Sequence, residues 1–240
     1  LQIEDRAPKT WSPKDEEGSV HYHQNFGDVP FEEGDWCVLA RTNHIANFYA
    51  SQLEEEGWVY SRNGKTSIHP QTYDAIMSWE DLVKGRSITI PALKNMYGFM
   101  KVGADYKKGY GPRAKCFTTL DSEQLIDMSF AEANLGLKWG NDTRWHKALS
   151  KIDLDTKNYV LNALRRGDNV KHPRIKVSTI HSMKGGESDN VLVITDLSYA
   201  SWKQYQKNPS VEHRVFYVAV TRAKKSLHIL EPTTRRYYEI

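Results

Sequence analysis

Hydrophobic and polar positions along this chain follow two regimes: strand-length apolar runs near both ends, and helical spacing between them. Val20 and Tyr22 alternate with polar neighbours, which predicts a short strand. Trp36-Cys37-Val38-Leu39-Ala40 is an unbroken apolar run, as expected of a strand covered on both faces. Asn43 to Glu56 reads as a helix, with Ile45, Phe48, Tyr49 and Leu53 at spacings of three and four, closed by Gly57. A strand at Trp58-Val59-Tyr60 follows, and the order strand, helix, strand predicts a parallel α/β unit.

From about residue 71 the spacing turns helical, and Tyr73, Ile76, Met77 and Leu82 line one side of a segment ending near Gly85. Residues 86 to 150 carry several short helical patterns separated by Gly-rich loops, with no strong strand. Asp155 to Arg166 predicts a further amphipathic helix. The α/β pattern then returns, with strands at Ile175-Lys176-Val177, Val191 to Ile194 and Leu227 to Leu230, and a helix over 211–223. The expected fold class is therefore α/β, a parallel sheet flanked by helices and interrupted by a mostly helical insertion. The expected division is a surface entry segment at 1–18, an α/β domain of 19–85 and 165–240, and the insertion at 86–164.

Composition changes this picture little. The 240 residues carry a net charge of +3, which permits an acidic partner such as nucleic acid without demanding one. Cys37 and Cys116 form neither a metal-ligand spacing nor a disulfide framework, which fits a reducing, cytoplasmic setting. No apolar run approaches the ~18 residues of a membrane span. The chain begins at Leu1, as a piece of a longer polypeptide would.

Candidate chemistry gathers in three segments. In the helix over 211–223, Val211, Val215, Val218 and Arg222 share one face, with Ala219 beside them. An arginine ending an apolar stripe is either snorkelling at a helix C-terminus or aimed into a cleft to grip phosphate. Upstream, Thr179-Ile180-His181-Ser182-Met183-Lys184-Gly185-Gly186-Glu187 follows one predicted strand and precedes another, where α/β sheets hold ligands. Standing alone, K-G-G-E reads as a polar glycine turn. The third segment, Arg41-Thr42-Asn43, ends the apolar run at 36–40, and a strand-end arginine is ordinarily just solvated.

In order, these segments resemble motifs IV, V and VI of UvrD/Rep/PcrA-like superfamily 1 DNA helicases. The string Tyr217-Val218-Ala219-Val220-Thr221-Arg222-Ala223-Lys224 is the most specific of them. The resemblance spans about 19–83 and 170–240 and implies the second RecA-like domain, of the P-loop NTPase type. It implies that Arg222 and Arg41 act catalytically on the γ-phosphate of ATP from one shared cleft. It further implies that Gly185 and Glu187 help bind the nucleotide, Glu187 through the ribose, and that Thr179, His181, Ser182 and Lys184 meet the DNA backbone. A basic approach containing Arg174 and Lys176 leads into the same loop. Three positions depart from the family pattern. Ala40 replaces an adenine-stacking tyrosine, and Gly186 and Ser188 replace a large apolar and an aromatic residue.

No G-x-x-x-x-G-K-[ST] loop is present, and Asn63-Gly64-Lys65-Thr66 reads as a turn because Gly57 lies too far upstream. No D-E-x-[DQH] segment follows a strand either. The Mg²⁺ ligands for ATP, and the P-loop, are thus expected in an N-terminal RecA-like half, and this chain alone is expected to be inactive. The expected partners are that half, single-stranded DNA and duplex DNA, without a membrane. The form H-S-x-K-G resembles the 3′-to-5′ branch. Two alternatives remain, the helicase part of a RecB-like helicase–nuclease and a catalytically silent helicase-fold module that binds DNA or protein. In the insertion, Lys94, Lys101, Lys107, Lys108, Arg113 and Lys115 interleave with Tyr97, Phe99, Tyr106 and Tyr110, which reads either as a nucleic-acid surface or as a solvated face over an aromatic core.

Overall fold

The computed structural model describes residues 17–240, so the entry segment at 1–18 lies outside the described residues except for its last two. In chain order, the elements begin with β1 (Ser19–His23), β2 (Trp36–Ala40), α1 (Asn43–Glu55), β3 (Tyr60–Arg62) and β4 (Lys65–Thr66). There follow α2 (Pro70–Val83), β5 (Ile88–Thr89), α3 (Ile90–Gly98), α4 (Lys115–Thr118), β6 (Leu125–Ile126), α5 (Met128–Asn134), α6 (Trp145–Ala148) and α7 (Leu154–Arg166). The chain closes with β7 (Ile175–Thr179), β8 (Ser188–Ile194), α8 (Tyr199–Lys207), α9 (Pro209–Val220) and β9 (Ala223–Leu230).

Two compact units form among the described residues, 17–67 with 172–240 and 68–171. The first contains a seven-stranded sheet in the order β1-β9-β8-β2-β7-β3-β4, parallel except for the β3–β4 hairpin. All five residues of β2 are buried because helices cover both faces. On one face Trp36, Val38 and Ala40 join Ala46, Tyr49, Ala50 and Leu53 of α1. On the other, Cys37, Leu39, Val191 and Val193 join Phe216 and Ala219 of α9. Burial pushes the Cys37 thiol up to about 12, so it behaves as a small apolar side chain.

Local chemistry explains several boundaries. Thr42 caps α1, its hydroxyl accepting from the Ile45 amide at 3.4 Å. At the other end Gly57 takes a left-handed φ of 79°, and the Trp58 amide donates back to the Leu53 carbonyl at 2.7 Å. Trp58 is therefore spent on closing the helix, and the strand expected at Trp58 starts two residues later, at Tyr60. Asn63 and Gly64, with φ of 50° and 74°, form the tight turn of the β3–β4 hairpin. Phe48, expected on the buried stripe of α1, is 54% exposed.

The second unit is helical but for the two-residue pairing of β5 with β6. Helix α2 belongs to it rather than to the α/β unit, so the division falls at 67/68 and 171/172. The reason is the buried face of α2, which carries Ala75, Ile76, Trp79 and Leu82, while Tyr73 and Met77 are only partly covered. Trp79, fully buried, donates its indole N–H to the Thr143 carbonyl at 2.9 Å. Tyr97 and Tyr106 are buried against one another and Tyr97 against Phe117, an aromatic core under exposed Lys101, Lys107, Lys108 and Arg113. Those two tyrosines are thus packing residues and not stacking platforms. No helix among the described residues is long and apolar enough to cross a membrane.

Candidate functional site

Parallel pairing fixes where each candidate residue sits. Ala40 lies opposite Thr179, so β2 and β7 end together, and Arg41 and the 180–187 segment leave the same carboxyl edge of the sheet. The Ile180 amide donates to the Ala40 carbonyl at 3.0 Å and ties the two exits. The chain then turns through a 3-10 turn at His181–Met183 and runs back to β8, whose first residue Ser188 pairs with Ala223.

At the carboxyl edge, Thr179 and Ser182 share a hydroxyl–hydroxyl bond of 2.9 Å, and the Ser182 amide donates to Thr179 Oγ1 at 3.3 Å. His181, Ser182 and Lys184 are exposed and face water from this turn. Arg41 is otherwise engaged. Its Nε and Nη2 donate to the two oxygens of Glu212 at 2.7 and 2.9 Å, and that carboxylate, in the first turn of α9, is fully buried. This is charge-assisted fork-to-fork pairing, in which Nη1 takes no part.

At the far end of α9, the helix stops at Val220 and Arg222 lies in the turn before β9. Its Nε donates to the Val218 carbonyl at 3.0 Å, Nη2 to Thr221 Oγ1 at 3.0 Å and Nη1 to the Gly186 carbonyl at 3.2 Å. The Ser188 amide donates to the Arg222 carbonyl at 3.1 Å. Arg222 is thereby joined to the Gly185–Glu187 loop. Gly185 has a φ of 85° with open space where a side chain would stand, and Glu187 is exposed. The Gly186 amide is taken by the Met183 carbonyl at 2.9 Å, so what Gly185 offers is close approach of its own backbone.

Arg41 meets the first turn of α9, and Arg222 lies just beyond its last. Glu212 and Arg222 are ten residues apart, roughly 15 Å along the axis at 1.5 Å per helical residue. The face expected to carry Val211, Val215, Val218 and Arg222 is also displaced, because Glu212, Phe216 and Ala219 are the buried residues of α9. The basic approach divides as well. Arg174 precedes β7, at the opposite edge from Thr179, roughly 16 Å away at 3.3 Å per residue. Its guanidinium donates to the Glu32 carbonyl and lies 5.9 Å from the Trp58 ring centroid. Lys176, within β7, is exposed.

Glu212 was not anticipated from sequence, although it lies only five residues before the Tyr217–Lys224 string. A carboxylate four residues before an apolar Phe216, on the same helical face, was the available signal. Among the described residues no group of three or more His, Cys, Asp or Glu is arranged to hold a metal ion.

Comparison with protein families gives a match. The model of the UvrD-like helicase C-terminal domain covers residues 143–232, which takes in the Thr179–Glu187 turn, α9 and Arg222 but not Arg41. Comparison with curated proteins gives no significant match.

Proposed function

We propose that this chain, which carries a UvrD-like helicase C-terminal domain and so a helicase motor domain, serves as the second RecA-like half of an ATP-driven translocase on DNA. The observation that carries this reading is the bond from Arg222 to the Gly186 carbonyl. It joins the T-R-A turn to the K-G-G-E loop, so that one cation, one exposed carboxylate and an open glycine backbone lie together. That donor set suits one wall of a nucleotide site. A guanidinium meets phosphate charge, the glycine backbone admits an anion closely, and Glu187 accepts from ribose hydroxyls. ATP with Mg²⁺ would supply the phosphoryl chemistry, with the Mg²⁺ ligands and P-loop contributed by an N-terminal RecA-like half. Arg222 is the residue assigned to charge developing on the γ-phosphoryl. The distance of Arg41 along α9 favours a different duty for it, holding β2 to α9.

On the other edge, the turn that exposes His181, Ser182 and Lys184 suits contact with the phosphates of single-stranded DNA, which a motor grips without reading sequence. Movement from 3′ to 5′ is the direction assigned from the H-S-x-K-G form.

Calorimetry with a non-hydrolysable ATP analogue tests the half-site reading on the chain itself. Very weak binding and no ATP hydrolysis are expected, because one wall lacks the tight phosphate grip. Micromolar affinity, or hydrolysis that Arg222→Ala removes, would mean that the chain holds a complete site.

A further inference from the structure

Among the described residues β1 is the outermost strand of the seven-stranded sheet and bonds to β9 alone. Its register sets two different faces against β9. Val20 lies opposite Leu227 and Tyr22 opposite Ile229, and these four residues, with Phe216 and Tyr238, line a cavity of about 550 Å³ beside α9. On the other face His21 lies opposite His228, and His23 follows two residues on.

Three imidazoles meet on that second face. The rings of His21 and His228 stack at 4.8 Å and those of His23 and His228 at 5.0 Å, with His23 Nε2 standing 2.8 Å from His228 Nδ1. A bond between two ring nitrogens needs one donor and one acceptor, so at most one of these two rings carries an extra proton while the bond lasts. His228 is 4% exposed, with the Trp36 ring 4.7 Å away. Burial, with His23 and His21 beside it, holds His228 down at about 4. The charged groups lining the same crevice are Asp28 from the turn after β1, Glu32 and Glu33 from the loop before β2, Asp189 from β8 and Lys225 from β9. Asp189 and Lys225 are paired at 2.7 Å, and the pull of Asp28 on His23 is outweighed by burial.

We propose that β1 is an acid-released strand: protonation of the His23–His228 pair frees Ser19–His23 from β9 while β9, β8 and β2 stay paired, and so opens the apolar cavity on the opposite face. A second proton turns the 2.8 Å contact into two donors and two cations facing one another. The smallest rearrangement that relieves it is the departure of β1. Strand β9 keeps its pairing with β8 over Ser188–Ile194, and Val20 and Tyr22, already 55% and 65% exposed, give up little burial. Once β1 has left, His228 meets water and binds a proton at its ordinary value of 6.5. The closed strand is therefore fully favoured above pH 6.5 and loses ground as pH falls towards 4.

Hydrogen–deuterium exchange of the 240-residue chain, read by mass spectrometry and corrected for the intrinsic rate at each pH, tests this. Protection of residues 19–23 should fall roughly a hundredfold between pH 7.5 and 4.5, tenfold for each unit below 6.5. Release of one strand exposes little surface, so urea below the unfolding transition should leave that exchange unchanged while accelerating exchange in β8. In His228→Gln the pH dependence at 19–23 should vanish. Exchange at 19–23 that answers urea as steeply as β8 overturns the proposal, because β1 then leaves only when the whole unit unfolds. Protection at 19–23 that is flat with pH in wild type overturns it as well, and a slope retained in His228→Gln removes the histidine pair as its cause.

Discussion

Arg41 and Glu212, 171 positions apart in the chain, meet in a two-pronged pair of 2.7 and 2.9 Å, with the carboxylate fully buried and the guanidinium 15% exposed. The asymmetry of burial predicts an asymmetry of mutational cost. Arg41→Ala strands a buried charge and should destabilise the chain by roughly 3–5 kcal/mol. Glu212→Ala should cost less, because the partly exposed guanidinium turns towards water. Urea unfolding of both variants checks this, and equal costs would mean that Glu212 has another source of stabilisation.

Stability should fall on mild acidification through the histidines of β1 and β9. His23 and His228 share a 2.8 Å bond, and Trp36 lies against the His228 ring. Burial, helped by the neighbouring His23 and His21, lowers His228 to about 4, and burial also lowers His23. The folded state therefore holds His228 neutral, while the unfolded chain takes up a proton near pH 6.5. Its contribution is complete above pH 6.5 and is lost as pH falls towards 4, about 3 kcal/mol at 1.36 kcal/mol per unit. Asp28, Glu32, Glu33, Asp189 and Lys225 line the adjacent crevice, and Asp28 partly offsets the lowering of His23. Asp153 and Asp189, whose carboxyls are lowered by hydrogen bonds from Thr156 and Lys225, lose their contribution only at lower pH. Urea midpoints at pH 7.5, 5.5 and 4.5 should drop in wild type and flatten in His228→Gln, whereas parallel slopes would remove His228 as the cause.

Arg174 and Lys176 should behave differently despite their proximity in sequence. Lys176 is exposed, so Lys176→Ala should reduce the slope of log affinity for single-stranded DNA against log salt by about one ion, with stability unchanged. Arg174 is committed to the Glu32 carbonyl and the Trp58 ring, so Arg174→Ala should lower the urea midpoint and leave the salt slope alone. Salt titrations of both variants separate the two, and a slope change in Arg174→Ala would return it to the DNA surface.

The strands were legible because β2 and the second half of β8 are apolar runs long enough to be covered on both faces, and α1 and α7 because their caps and spacings agree. What escaped the sequence was decided by geometry between distant segments. Trp58 has the composition of a strand residue, yet its amide is drawn back by Leu53. Helix α9 has a valine stripe, yet packing selects the neighbouring face and buries Glu212, because Arg41 waits at the end of β2 to pair with it. The separation of Arg41 from Arg222 follows from the antiparallel run of α9 against the sheet, which residue order along the chain does not encode. The exposure of Phe48 escaped for a similar reason. Spacing alone put it on the buried face of α1, and helix α8 has too weak an apolar stripe to stand out.

The most direct measurement is DNA-stimulated ATP turnover by a polypeptide in which this chain is joined to the P-loop-bearing half proposed above, compared between wild type and Arg222→Ala. An arginine that meets the γ-phosphoryl from across a domain interface contributes roughly a thousandfold or more to turnover. Turnover in Arg222→Ala should therefore fall by about that factor, with single-stranded DNA affinity nearly unchanged. Near-normal turnover in the variant would contradict the assignment and leave Arg222 as a structural tie between the turn before β9 and the Gly186 loop.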